Sequence, residues 1–265
     1  MNAFRHVTEV GEGAPLLLLH GWSAHGGFFA PQMELAKLGY RVIAPDLPGH
    51  GRDRRPHTTL AIAGLSDALN NFLTARDLRN VTLLGWSMGA TVAFDYLKTR
   101  GAERITGLIV VDMSARIIND ANWRLGLASG LDARGAEISA DTMAQDWPRY
   151  ARRIAPSLFA PELAPNHKLL SFAYENIANN DGDTLASLWR SLAAADHRAM
   201  LAAITIPSLV IAGARSRLYQ PEVTQWLASH IPGCRHVAIP AAGHTPQLEQ
   251  PAAFNAAMAA FLTPK

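Results

Sequence analysis

Six short runs along the chain are apolar almost without interruption: PLLLLH (15–20), YRVIAPD (40–46), NVTLLG (80–85), RITGLIVVD (104–112), IPSLVIAG (206–213) and CRHVAIP (234–240). A strand with one wet face would alternate in polarity, so continuous runs of this length predict strands buried on both faces. Between them, apolar positions recur at helical spacing over 28–38, 59–75, 88–99, 221–230 and 251–262. Strand and helix in alternation predict an α/β fold: a mostly parallel, doubly wound sheet with helices on both faces. The rhythm fails once. From Ser114 to Ile204 only helical and proline-punctuated segments occur, which predicts a helical insertion over the carboxyl edge of the sheet. The expected organisation is a sheet-bearing core over 1–113 and 205–265, with a helical cap over 114–204.

Composition narrows the function classes. With 265 residues, 49% of them hydrophobic and 17% charged, the chain can bury a sizeable core and is not a disordered segment. A formal charge of +2 is too small for the field a nucleic-acid binder needs. No run reaches the ~18 uninterrupted apolar residues of a membrane span, and the opening MNAFRHVTEVGEG lacks the apolar stretch of a signal peptide. Cys234 is the only cysteine and forms no internal disulfide. A cytoplasmic location, with neither membrane nor nucleic acid as partner, is the resulting expectation. No two histidines stand two residues apart, and His230 and His236 straddle a Pro-Gly turn, so no metal site is expected.

The segment LLGWSMGATVAF (83–94) places Ser87 between an apolar strand and a helix, with Gly85 and Gly89 two positions to either side. A side chain at so sharp a turn holds a strained backbone, and small neighbours let strand and helix approach. The serine oxygen then projects at the carboxyl edge of the sheet, near the positive end of the following helix. Here the chain resembles the α/β-hydrolase superfamily, whose nucleophile elbow reads G-x-S-x-G. The resemblance implies the α/β-hydrolase fold, with its cap leaving the sheet after the sixth strand.

A serine hydroxyl needs a base to take its proton. His244, in IPAAGHTPQLEQP, follows the last predicted strand and comes after the serine in chain order, as the resemblance requires. Acyl transfer also needs fixed donors for the developing oxyanion, each worth roughly 3 kcal/mol. One is expected to be the amide of Met88. His20-Gly21-Trp22 resembles the superfamily's HG-x motif, which makes the Trp22 amide the second donor; His20 holds that loop or, alternatively, acts as a rival base. Asp46, Gly49 and Gly51 match a superfamily turn, D-x-x-G-x-G, and read as structural punctuation.

The third member departs from the superfamily pattern. Most relatives carry an acid in a G-x-x-D pattern after the penultimate strand, whereas here the position three after Gly213 is Ser216, and no aspartate follows Asp196. Asp112, at the end of GLIVVD, is one substitute, since adjacent parallel strands lie only ~4.8 Å apart. Some superfamily branches, haloalkane dehalogenases among them, resemble this arrangement. Glu222 is another, though it also suits the first turn of a helix. Absence of any acid is the third possibility.

The insertion supplies Trp123, Leu127, Trp147, Leu158, Phe159, Phe172, Tyr174 and Trp189, of which a minority can line a pocket. Trp22, Trp123 and Trp147 are the expected pocket residues. The LLHGW and LGWSMG segments look like those of small bacterial carboxylesterases, the pimeloyl-acyl-carrier-protein methyl ester esterase group in particular. That resemblance implies a serine esterase using water as second substrate, no cofactor, and either a small-molecule ester or an ester bound to an acidic acyl carrier protein. PRYARRI, with Arg149, Arg152 and Arg153, is then a docking patch or simply a solvated helix face. The same scaffold serves lactonases, cofactor-free peroxidases, lyases and non-catalytic ligand-binding proteins, and these remain open.

Overall fold

The computed structural model describes residues 4–53 and 59–263. Seven strands, β1 (Val7–Val10), β2 (Ala14–Leu19), β3 (Tyr40–Pro45), β4 (Val81–Trp86), β5 (Ile105–Val111), β6 (Ser208–Gly213) and β7 (Arg235–Ile239), form one sheet in the order β1-β3-β2-β4-β5-β6-β7. Only β1 and β3 pair antiparallel. The helices are α1 (Ile62–Ala75), α2 (Met88–Arg100), α3 (Ala133–Gln145), α4 (Trp147–Ile154), α5 (Lys168–Ile177), α6 (Gly182–Ala194), α7 (Pro221–Ser229), α8 (Pro246–Glu249) and α9 (Pro251–Leu262). Alternate side chains of a strand face opposite ways. Leu17 and Leu19 accordingly join one core with α1, α2 and α7, while Leu16 and Leu18 join a second with Phe28, Phe254 and Met258. Two covered faces are why the runs are continuously apolar. None of the described helices is long and apolar enough to cross a membrane.

Two local features differ from the sequence expectation. β1 carries no continuous apolar signal because it is a half-exposed edge strand, VTEV, whose Glu9 reaches Arg41 and Arg76. The helix expected over 28–38 forms instead as 3₁₀ turns over Gly26–Leu38, kinked at Phe29, since Pro31 inside it has no N–H for an α-helical ladder. Between β5 and β6 the described residues hold α3 to α6 and shorter 3₁₀ turns, with no strand. This insertion leaves the sheet after its fifth strand rather than a sixth, because a single strand, β1, precedes β2.

The D-x-x-G-x-G turn is pinned from within. The Asp46 carboxylate accepts hydrogen bonds from the Gly26 amide (3.1 Å) and from the Arg52 amide and Nε (3.1 and 2.9 Å). His50 donates through Nδ1 to the Pro48 carbonyl at 3.1 Å, and complete burial pushes its pKa down to about 4. His20, its ring 5.1 Å from that of His50, is held well below the usual imidazole range by burial and by His50.

Both rings therefore fold neutral, whereas the unfolded chain exposes imidazoles that protonate near pH 6.5. As pH falls from about 6.5 to about 4 the unfolded state binds the extra protons, so stability falls with it; for His50 the whole window is worth about 3 kcal/mol. The urea midpoint is expected to drop between pH 7 and 4.5, and to drop less steeply in His50→Asn. Equal slopes would remove His50 from this linkage.

Candidate active site

Strand register brings the chemistry to one edge. Trp86 aligns with Val111, Val111 with Ile211, and Gly213 with Ile239. The ladder runs one residue further, the Ser87 amide donating to the Val111 carbonyl (3.0 Å) and the Asp112 amide to the Ile211 carbonyl (2.9 Å). Ser87 and Asp112 thus end neighbouring strands. Ser87 adopts φ 54°, ψ −123°, a conformation costing a non-glycine residue about 1–3 kcal/mol. A Cβ on Gly89 would lie 2.2 Å from the Leu19 carbonyl oxygen, so only glycine lets α2 pass this close to β2. The turn holds Ser87 at the amino terminus of α2.

His244 reaches the same place by crossing the end of β6. The crossing needs Gly213, where a Cβ would sit 1.7 Å from the Gly243 carbonyl oxygen, and it is fastened by the Arg215 amide donating to the Ala242 carbonyl at 2.8 Å. His244 Nδ1 then lies 2.6 Å from Asp112 Oδ2, with the two side chains 2% and 1% exposed. Ser216 Oγ donates to the same oxygen at 2.7 Å. The residue standing where an acid was expected is therefore a donor to the acid one strand over. Glu222 is exposed in the first turn of α7. Trp86 Nε1 donates to the His244 carbonyl at 2.8 Å, and the Trp86 and Tyr219 rings flank the imidazole at 5.6 and 5.9 Å. Burial raises the Tyr219 hydroxyl pKa, which keeps the phenol protonated.

Glu249, which the sequence reading did not single out, clasps the histidine loop to the insertion. One carboxylate oxygen accepts from the Ala160 amide (2.7 Å), the other from the Gly243 amide (2.7 Å) and Thr245 Oγ1 (3.1 Å). Burial raises its pKa against these hydrogen bonds. Its first-turn position in α8 reads as ordinary capping, so the sequence carries no separate signal for it.

The loop after β2 abuts Ser87, since a Cβ on Gly21 would meet the Ser87 Cβ at 3.2 Å. His20 sets that loop. Its Nε2 accepts from the Leu47 amide at 2.8 Å, which leaves the proton on Nδ1 to donate to the Gly21 carbonyl at 2.8 Å. With both nitrogens committed, His20 is not placed as a base. Met88 opens α2 directly after Ser87. Trp22 joins loop to insertion: its Nε1 donates to the Leu185 carbonyl (3.1 Å), and its ring packs on Trp147 and Trp189, each 5.3 Å away.

Ser87, His244 and Trp22 face one cavity of about 320 Å³ whose apolar wall includes Leu127, Leu158, Trp189, Leu218 and Tyr219. Two expected pocket residues lie elsewhere. Trp147 is buried behind the wall, donating to the Ile177 carbonyl at 2.9 Å. Trp123 packs away from the cavity, against Trp226 at 4.8 Å and under Arg198. Both indoles satisfy their N–H groups within the insertion, Trp123 at the Arg116 carbonyl, and are structural. Of the three arginines of PRYARRI, Arg153 alone lines the cavity.

The profile of the alpha/beta hydrolase family matches residues 16–257. A pimeloyl-[acyl-carrier protein] methyl ester esterase from Nitrosomonas europaea is 27% identical over 252 residues, which cover 94% of this chain and 96% of that protein. Among solved structures, a thermophilic esterase from Thermogutta terrifontis is 26% identical, with a TM-score of 0.85 over 97% of this chain and 92% of that one. An esterase from Exiguobacterium antarcticum, 24% identical, shares the fold at a TM-score of 0.89 over 98% of this chain and 99% of that one.

A hydroxyl and an imidazole thus face one cavity, and a buried carboxylate backs the imidazole. Asp112→Asn, which keeps the size and removes the charge, is expected to lower kcat/KM on any ester the site cleaves by about 10⁴-fold, and Glu222→Gln to leave it unchanged. Because Ser216 Oγ lies against Asp112 Oδ2, adding Ser216→Asp to Asp112→Asn should restore part of the loss. Equal activities of wild type and Asp112→Asn would deny the carboxylate this role.

Proposed function

The chain belongs to the alpha/beta hydrolase family, and from that premise we propose that it is a serine hydrolase of carboxylic esters working through an acyl-enzyme. The observation that carries this reading is the buried Asp112–His244 hydrogen bond of 2.6 Å beside the strained Ser87. In the proposed mechanism His244 Nε2 takes the proton from Ser87 Oγ as that oxygen attacks the ester carbonyl. Asp112 stabilises the imidazolium that results, and the Trp22 and Met88 amides receive the oxyanion. Collapse of the tetrahedral adduct breaks the bond to the leaving alkoxide, which takes the proton back from His244 and departs as the alcohol. Water then enters, gives its proton to His244, and releases the acid as Ser87 is reprotonated.

In this reading 1–113 and 205–265 supply the catalytic groups and 114–204 cap them. The esterase names of relatives support an ester substrate. The methyl ester of a carrier-bound acyl chain is the first specific substrate to try, and an acidic carrier would meet Arg149, Arg152 and Arg153, all exposed on α4. A non-catalytic ligand-binding protein would be favoured by the missing aspartate after β6, and the hydrogen bond from His244 to Asp112 supports catalysis instead.

Hydrolysis of an acyl-length series of aryl esters, with methyl esters of dicarboxylates as competitors, tests the reading. Wild type is expected to turn over, and Ser87→Ala to lose at least about 10³-fold while folding normally. Trp189→Ala, at the cavity wall, should shift the preferred acyl length, whereas Trp123→Ala should not. Turnover by a folded Ser87→Ala protein would end the serine mechanism.

A further inference from the structure

The cavity beside Ser87 is apolar over most of its wall, and no carboxylate lines it among the described residues. Arg153 is the single Lys or Arg among the described lining residues. Helix α4 and the 3₁₀ turn after it present a stripe to this space, namely Tyr150, Arg153, Ile154, Ser157 and Leu158. That spacing of three and four residues is one face of a helix. Arg152 turns elsewhere, its Nη2 donating to the Tyr174 hydroxyl at 2.8 Å.

Three other arginines of the insertion are paired with carboxylates: Arg116 with Asp120, Arg190 with Glu137 and Asp141, and Arg198 with Asp196. Arg153 differs from these three, and from the other arginines of the insertion in lining this cavity. Its guanidinium lies 4.6 Å from the centre of the Tyr150 ring and has no carboxylate partner among the described residues. A cation over a ring face keeps its N–H fork available for a planar anion. The neighbouring hydroxyl of Ser157 donates to the Ile154 carbonyl at 2.7 Å.

We propose that Arg153 binds an anionic group carried by the substrate away from its scissile ester, so that the preferred substrates are esters bearing a second, ionised acidic group. This rests on the reading of the cavity as an ester site. An apolar wall with one unpaired cation at its border fits a chain with an ester at one end and a carboxylate or phosphate further along. A neutral alkyl ester would make no use of the guanidinium, which would stay with solvent. A carboxylate on the acyl chain is the simplest source, and a phosphate on a carrier-bound arm offers the same chemistry.

The test compares two aryl esters of equal chain length, one ending in a methyl group and one in a carboxylate, by kcat/KM in wild type, Arg153→Ala, Arg153→Lys and Arg153→Glu. The ratio of the carboxylated to the neutral ester is expected to fall roughly 10–100-fold in Arg153→Ala, mostly through KM, as a charge-assisted hydrogen bond is lost. Arg153→Lys should retain part of the ratio and Arg153→Glu should lower it furthest. A matched pair of methyl esters on a thiol arm, with and without its phosphate, identifies the source: an Arg153-dependent preference for the phosphorylated arm assigns the anion to a carrier. A ratio unchanged within twofold across all variants, in both pairs, would overturn the proposal. Failure of wild type to cleave even the neutral ester would instead remove the esterase reading beneath it.

Discussion

The hydrogen bond between His244 Nδ1 and Asp112 Oδ2, 2.6 Å long and closed to solvent, dictates much of the surrounding architecture. A buried carboxylate is tolerable only when its oxygens are met by donors. Asp112 meets two on one oxygen, the imidazole and Ser216 Oγ. To bring the imidazole there, the loop after β7 must pass over β6, and the absent side chain of Gly213 is what lets it pass. Trp86 and Glu249 then hold the loop in that path from either side. Because Ser87 ends β4, the imidazole has to cross β6 wherever the acid stands, and the same crossing brings it to Asp112 at the end of β5.

The helical insertion is tied to the same construction. Glu249 bonds simultaneously to Ala160 of the insertion and Gly243 of the histidine loop, and Trp22 carries the loop after β2 into the indoles of Trp147 and Trp189. The elements that shape the cavity are therefore bonded to those that hold the chemistry. A displacement of the insertion would be felt at the His244 loop through the Glu249 carboxylate that bonds to both.

The sheet was legible in the sequence because both its faces are covered, which turns five of its strands into continuous apolar runs and β7 into a nearly apolar one. β1 was not legible, being an exposed edge. Ser87 announced itself through two glycines at a strand-to-helix turn, and His244 through its place after the last strand. Asp112 could be found only as one option among three, because its partner is chosen by a loop crossing that no linear spacing encodes. The tryptophans misled for a related reason: an indole in a helical insertion packs the insertion on itself and on the core as readily as it lines a cavity, and Trp123 and Trp147 do the former. Arg153 read as one charge in a basic run until the fold showed which side of α4 it occupies.

Covalent capture of the nucleophile tests the central claim most directly. Intact-mass measurement after exposure to a fluorophosphonate should show one adduct per chain, mapped to the peptide carrying Ser87, with the rate of labelling lowered at least about 100-fold in Asp112→Asn because the imidazole loses the charge that supports its taking the proton. An unlabelled wild-type chain, an adduct on another residue, or equal labelling rates in the two proteins would contradict the account.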